Sequence, residues 1–330
     1  MIAQLDKYFF KISKKKTMHR LIAYLHEGRP LTTKGQWFNK FLFMHFSQFR
    51  KRNEDIITPI FIVGTGRSGT TILGKILGIH DQILFLNEPK AIWSYAFENE
   101  DVIGTYRDKP GRLILNSDDY KEKTREIINS FYAHLLSLTN TNVIIDKYPE
   151  LIFRIPWVKA ICPSAKFIFV YRDPYETINS ISKWSQRHGK ISGDNMEDWW
   201  GLHNRKWDIL VEETIIPNHN YTDIKNKLDK FKSDNLTKAA VEWIVTMDYG
   251  YKQLSNFNNI FLIDYEDLVF DSEKKLRALL NFIKVPKDNN VINYARSVLT
   301  KKKYRLETNM DETLNNHFRR IQEQFSRFLK

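Results

Sequence analysis

The stretch that most constrains this chain is ITPIFIVGTGRSGTTILGKILGI, residues 57–79. Ile60-Phe61-Ile62-Val63 is a short, unbroken apolar run of β-branched and aromatic residues, the pattern of a buried strand in a parallel sheet. Gly64, Gly66 and Gly69 break the run. From Thr70 the apolar residues Ile72, Leu73, Ile76 and Leu77 take up helical spacing. A strand, a glycine-rich turn and a helix, in that order, aim backbone N–H groups and a positive helix end at one point, where a phosphate binds. The bland alternative is an ordinary tight turn.

The detail of the loop narrows its ligand. Gly64 and Gly69 have the spacing of the triphosphate-binding pattern G-x-x-x-x-G-K-[ST], but Thr70-Thr71 stand where the lysine should be. The cation is instead Arg67, inside the loop. Such a loop suits an anionic nucleotide without being built for a Mg-triphosphate.

At 330 residues, 42% apolar and 14% aromatic, the chain has ample material for a core. No run approaches 18 uncharged apolar residues, so no transmembrane helix is expected, and no signal-peptide pattern is read at the N-terminus. The lone cysteine, Cys162, excludes an internal disulfide framework and fits a reducing, cytoplasmic setting. It reads as a small buried hydrophobe. A net charge of +12 bears on partners, not fold. It is spread out, with concentrations at Lys14–Lys16, Arg50–Arg52 and Lys301–Lys303. Nucleic acid, anionic membrane and polyanionic small molecules all fit such a charge. No recognised nucleic-acid motif is present, and no metal-ligand spacing is read among the nine histidines.

Residues 1–55 read as a basic helical N-terminal extension with no clear strand. Its helices either pack against the main domain or attach to a membrane surface or partner. Residues 56–330 read as an α/β domain. A second strand, Gln82–Leu86, runs into Asn87-Glu88-Pro89, which puts Glu88 at a strand's C-terminal end, the edge that holds ligands in open α/β sheets. Glu88 is therefore a general-base candidate; its alternative is a cap or surface ion pair. A helix is expected from about Tyr120 to Leu138, and a strand over Asn142–Asp146 ends in Lys147-Tyr148-Pro149. A further helix is expected over Leu151–Ile161. Lys166–Tyr171 is the most strand-like hexamer and leads into Arg172-Asp173-Pro174 and a helix from about Tyr175. Ser180, eight residues after Arg172, lies two turns into that helix on a face directed back at it. The bland reading has Asp173 capping the helix and Arg172 pairing with a carboxylate. Residues 184–236 read as an insertion of short helices holding four of the eight tryptophans, either as core or as a lid over an acceptor. A helix over Leu236–Leu254, a strand over Asn259–Asp264 and a helix over Ser272–Ile283 complete the pattern.

Three blocks now stand together: GTGRSGTTILGKIL at 64–77, IIDKYPELIFRIPWVKAICPSAKFIFVYRDPYETINSISKW at 144–184, and FLIDYEDLVFDSEKKLRALLNFI at 261–283. Over roughly residues 57–310 the chain resembles the sulfotransferases that use 3′-phosphoadenosine-5′-phosphosulfate. The resemblance implies a P-loop-like three-layer α/β fold with a central, mostly parallel sheet flanked by helices. Its 5′-phosphosulfate loop corresponds to Arg67, Ser68, Gly69, Thr70 and Thr71, and its 3′-phosphate site to Arg172 and Ser180. Lys147 matches the strand-end lysine. Glu88 matches the glutamate base of the carbohydrate and protein-tyrosine branches, with loosely matching neighbours. The histidine base of the cytosolic phenol and steroid branch is absent, since Tyr148 and Pro149 follow Lys147. That branch's C-terminal glycine motif is also missing; Lys303-Tyr304-Arg305 is a weak substitute.

The resemblance implies sulfuryl transfer to a hydroxyl or amine, with Glu88, Lys147 and Arg67 catalytic and no metal required. The basic, Trp-rich insertion suits a small-molecule, saccharide or aromatic-hydroxyl acceptor, or an anionic polymer, and composition does not choose among them. Rival readings are a P-loop kinase, a nucleic-acid-binding module and an inactive scaffold.

Overall fold

The computed structural model describes residues 5–28, 36–49, 57–192, 195–300 and 310–329. Helices α1 (Lys7–Ile12), α2 (Lys14–His26) and α3 (Gln36–Phe46) precede strand β1 (Ile60–Gly64). Then come α4 (Thr70–Leu77), β2 (Ile83–Asn87), α5 (Lys90–Ala96), α6 (Glu122–Thr139), β3 (Val143–Lys147), α7 (Ile155–Ile161), β4 (Lys166–Tyr171) and α8 (Pro174–His188). A small sheet follows, β5 (Lys190–Ser192), β6 (Asn195–Asp198) and β7 (Gly201–Leu202). The rest is α9 (Arg205–Leu210), α10 (Thr222–Lys225), α11 (Leu228–Phe231), α12 (Asn235–Asn256), β8 (Ile260–Asp264), α13 (Tyr265–Phe270), α14 (Ser272–Ile283), α15 (Asn289–Val298) and α16 (Glu312–Ser326).

The central sheet has the order β2-β3-β1-β4-β8, and every pairing in it is parallel. The chain is thus α/β, with helices on both faces of the sheet. Strand side chains alternate between those faces. Phe61, Val63, Leu84, Leu86, Phe167 and Phe169 meet Trp93, Trp157 and Trp243 on one side. Ile60, Ile62, Ile83, Phe85, Ile168 and Val170 meet Leu73, Ile76 and Leu77 of α4 and Leu276 and Leu280 of α14 on the other. Both layers bury apolar surface, which explains why the strands read as unbroken apolar runs.

Two expectations need correction. The helix foreseen over Leu151–Ile161 is a 3₁₀ segment, Pro149–Arg154, followed by α7. Pro156 has no N–H to continue a helix from the preceding turn, and the buried Arg154 side chain turns aside to donate to the carbonyls of Glu100, Arg112 and Leu113. The segment 184–236 is not purely helical, since β5–β7 form an antiparallel sheet. The pairing is local, between strands neighbouring in the chain, and its last strand is anchored outside the segment: Leu202 N–H donates to Ile103 O at 3.0 Å, and Gly201, at φ 76°, lies where a Cβ would sit 2.7 Å from that oxygen. Arg50–Arg52 and the 301–305 basic segment, with Lys303-Tyr304-Arg305, lie outside the described residues. No described helix is long and apolar enough to cross a membrane.

The N-terminal helices pack on the sheet. β2 is an edge strand, so its outward carbonyls and N–H groups need partners from elsewhere. Side chains of α2 and the residue after it supply them at every second position. Lys16 Nζ donates to Ile83 O (2.5 Å), Arg20 Nη1 donates to Phe85 O (2.7 Å), and Glu27 Oε1 accepts from Asn87 N–H (2.6 Å). Arg20 and Glu27 also pair with each other, fully buried, at 2.5 Å. Removing one member leaves the other charge buried and uncompensated, so Arg20→Ala should cost about 3–5 kcal/mol of stability. Urea denaturation checks this; a loss below about 1 kcal/mol, typical of an exposed pair, would show that α2 is not tied to the edge.

β3 is pinned by its own buried acid. Asp146 Oδ2 accepts from Tyr132 Oη–H (2.7 Å) and Trp93 Nε1–H (2.9 Å). Burial pushes its pKa from an ordinary 3.8 up to about 7, against the pull of those two hydrogen bonds. The folded state therefore holds a proton that the unfolded chain gives up near 3.8. This contribution to stability is fully present below that pH and is lost as pH rises through about 7. Asp146→Asn, which keeps the shape and an acceptor oxygen, should flatten that dependence. Denaturation midpoints at about pH 5 and about pH 8 should differ less in the variant than in the parent chain; equal differences would remove Asp146 as the cause.

Candidate functional site

All five parallel strands end on one side of the sheet, and the loops that leave their C-terminal ends build one cleft there. The loop after β1 is the tightest. Ser68 N–H donates to Thr65 O (3.2 Å) and closes its turn. Gly69 precedes α4 at φ 99°, and a Cβ there would lie 2.2 Å from the Tyr265 ring. Only glycine serves both demands. Arg67 adopts φ 69° without being glycine, and Glu88 does so at φ 54°. Both positions cost backbone strain of the kind that gathers at ligand sites. The first N–H groups of α4 have no intrahelical acceptors and face the start of the helix.

The cleft has a volume of about 480 Å³ and is lined by Arg67, Gly69, Thr70, Thr71, Glu88, Lys147, Arg172 and Ser180, among others. Eight of the nine residues singled out in the sequence thus converge there. The ninth, Ser68, has its side chain fully buried beneath the loop, with no hydrogen-bond partner for its Oγ. It can serve a ligand only through its backbone.

Arg67 links the two halves of the cleft. Its Nε–H donates to Ser180 Oγ at 3.2 Å, and its carbonyl accepts from Arg172 Nη1 at 3.0 Å. Burial pulls the Arg67 pKa down; the Arg172 charge adds to this and Glu88 opposes it. Two guanidiniums held this close form a ready anion site. Arg172 is steadied by Glu176 (3.4 Å), Glu266 (3.6 Å) and the face of Tyr265, 4.6 Å from the ring centroid. Burial and then Asp264 push the Glu266 pKa up to about 7. Asp173 caps α8, accepting from Glu176 N–H at 3.0 Å. The capping role and the carboxylate pairing read from sequence are therefore both present, and they coexist with exposure of Arg172 to the cleft.

Glu88 and Lys147 meet across the sheet. The register sets Asn87 opposite Lys147. Glu88 N–H donates to Lys147 O (2.7 Å), and Lys147 Nζ donates to Glu88 Oε1. Lys147 is buried, with only 1% of its surface exposed, so it is not a solvated surface lysine.

The tryptophan cluster divides. Trp200 and Trp207 pack edge to face at 5.8 Å in the core. Trp184 and Trp199 line the cleft, 5.4 Å apart. Trp199 lies on the loop so closely that a Cβ on Gly66 would be 2.5 Å from its ring. Its Nε1–H donates to Glu242 Oε2 (2.7 Å), and Lys206 sits 4.7 Å from its ring centroid. A second cleft of about 400 Å³ opens on the far side of this wall and shares Gly66, Glu88, Pro149, Trp184 and Trp199 with the first. It adds Tyr106 and an ionic floor in which Glu150 pairs with Lys90 (3.0 Å) and Lys206 (3.8 Å). Burial alone would lower the Lys90 pKa, but Glu150, Glu88 and Glu100 raise it overall. The sequence reading did not single out Tyr265, Lys206 or Glu242. For Tyr265 a signal existed, its place directly after a strand; the other two lie on helices whose faces are fixed only by packing.

Among known proteins, the chain is 22% identical to protein-tyrosine sulfotransferase 1 of Danio rerio over 71% of its own length and 55% of that protein's. It is 22% identical to protein-tyrosine sulfotransferase A of Caenorhabditis elegans over 72% of its own length and 53% of that protein's. The chain thus spans about half the length of the curated relatives it matches. Among solved structures, the sulfotransferase domain from the Synechococcus PCC 7002 olefin synthase covers 84% of this chain, with 98% of that domain covered, at a TM-score of 0.49 and 16% identity. The model of the sulfotransferase family matches residues 59–225, just over half of the chain, and takes in the loop, Glu88, Lys147, Arg172 and Ser180, so the chain belongs to the sulfotransferase family.

Proposed function

We propose that the protein transfers a sulfuryl group from 3′-phosphoadenosine-5′-phosphosulfate to an acceptor hydroxyl or amine. The observation that carries this reading is the convergence of two anion-binding ends in one cleft: the loop and α4 N-terminus at one, Arg172 and Ser180 at the other, with Arg67 between them. This donor set fits a nucleotide with two anionic ends. The donor supplies an activated sulfuryl group on its 5′-phosphate.

The chain's own residues divide the remaining work. Thr70, Thr71 and the loop N–H groups bind the 5′-phosphate end. Arg172 and Ser180 hold the 3′-phosphate, and Arg67 orients both ends. Glu88 accepts the acceptor's proton. Lys147 Nζ, already donating to Glu88, and Arg67 supply positive charge against the negative charge that develops on the leaving oxygen. The second cleft, which meets the first at Glu88 and Trp199, receives the acceptor. Its walls of Trp184, Trp199 and Tyr106 over the Lys90–Glu150–Lys206 floor suit a hydroxyl-bearing ring, aromatic or saccharide. A tyrosine side chain falls in that class, in keeping with the protein-tyrosine sulfotransferases to which the chain is similar.

Calorimetry with adenosine-3′,5′-bisphosphate and with ADP, each with and without Mg²⁺, tests the donor site. Metal-independent preference for the bisphosphate is expected, and Arg172→Ala should weaken its binding about tenfold or more, the loss of a charge-assisted contact. Preference for Mg-ADP would overturn the reading in favour of a kinase, and unchanged affinity in the variant would remove Arg172 from the 3′-phosphate. Glu88→Gln should lower turnover by roughly two to four powers of ten while nearly keeping bisphosphate affinity. Full turnover in that variant would exclude Glu88 as the base.

A further inference from the structure

Three histidines that the cleft does not use come together elsewhere in the fold. His26 ends α2, His45 lies in the last turn of α3, and His134 lies on α6. Each is half-buried, and each offers a ring nitrogen within 4.8 Å of the other two. Their ring centroids are 5.5, 6.3 and 6.4 Å apart. Phe131 and Phe46 flank them. They are separated widely in sequence, so no local turn forces the meeting.

We propose that His26, His45 and His134 form a three-imidazole site for a divalent transition ion of the zinc class, which staples α2 and α3 to α6. Imidazole nitrogen is a preferred ligand of zinc, copper and nickel. Zinc–nitrogen bonds of about 2.0–2.1 Å in a tetrahedral site put ligand nitrogens about 3.3 Å apart. From within 4.8 Å of one another, the ring nitrogens would close in to that spacing on binding.

The surrounding hydrogen bonds suit ligation. His26 Nδ1 lies 2.8 Å from Ile22 O, and a carbonyl can only accept, so the proton is on Nδ1 and the Nε2 lone pair is left for a metal. His45 Nδ1 lies 2.6 Å from the Gln48 side-chain amide. The same Gln48 nitrogen lies 3.5 Å from His45 Nε2, so the amide steadies the ring, and an incoming ion would displace it from whichever nitrogen ligates. Neutral imidazoles are the form that binds metal. A water completes the fourth position, as three-protein-ligand zinc sites allow. The alternative is a stack of neutral rings that packs without an ion.

The test uses the full chain, stripped of metal with a chelator. Zn²⁺ calorimetry should give one tight equivalent, and Co²⁺ substitution should give the intense visible bands of a tetrahedral ion. His45→Gln and His134→Gln should each weaken Zn²⁺ binding by at least about tenfold. They should also abolish the Zn²⁺-dependent rise in thermal midpoint that linkage predicts for the parent chain. Adenosine bisphosphate affinity should stay unchanged in both, as a control for folding. Equal Zn²⁺ affinity in the parent and both variants, or a weak octahedral Co²⁺ spectrum in the parent, would overturn the site. Should either variant misfold, the Co²⁺ spectrum of the parent chain decides alone.

Discussion

The structure depends on bringing several positive groups to one end of a parallel sheet without letting them drive one another apart. Arg67 and Arg172 lie within hydrogen-bonding reach through the Arg67 carbonyl, and Lys147 is buried beside them. Such a cluster is unfavourable until something negative offsets it. Carboxylates do so in part: Glu176 and Glu266 at Arg172, and Glu88 at Lys147. Arg67, Arg172 and Lys147 all line the cleft, an arrangement suited to the doubly anionic ligand proposed for it. The positive φ of Arg67 and Glu88 fits the same arrangement, since both residues line the cleft.

The sheet must be rigid for this to work, and much of its rigidity comes from polar contacts at its edge. α2 treats the free margin of β2 almost as another strand would, with Lys16, Arg20 and Glu27 answering alternate backbone groups. The last of these contacts fixes Asn87, the residue before Glu88. A helical segment that looked peripheral is therefore one residue away from the general-base candidate. On the next strand, Asp146 is tied to Trp93 and Tyr132 directly below Lys147. Both strand tips that carry Glu88 and Lys147, the pair proposed as catalytic, are held from beneath by buried hydrogen bonds, which are costly to break in a low-dielectric interior.

Trp199 organises the boundary between the two clefts. It closes over Gly66 on one side and rests against Lys206 and Glu242 on the other. A ring in that position contributes to both clefts at once, so the spaces proposed for the nucleotide and for the acceptor meet at a shared wall. Among the four tryptophans of this segment, Trp184 joins it there while Trp200 and Trp207 fill the core.

The sequence by itself determined the strands, the glycine loop and the order of charged residues at strand ends. Unbroken runs of β-branched and aromatic residues such as Phe167–Val170 fit a sheet covered on both faces, and parallel strands bring their C-terminal ends to one side. Arg67, Glu88, Lys147 and Arg172 were legible for that reason, because each follows directly from where a strand stops. The tertiary structure alone decided whatever depends on elements far apart in the chain. The break at Pro149–Arg154 followed from Pro156 and from a buried arginine serving distant carbonyls. The anchoring of β7 on the distant Ile103 carbonyl is of this kind. Arg67 reached Ser180 across 113 residues, and His26, His45 and His134 converged from three helices. Local pattern encodes secondary structure and the ends of strands, but the meeting of side chains from separate helices is fixed only by how their apolar faces pack.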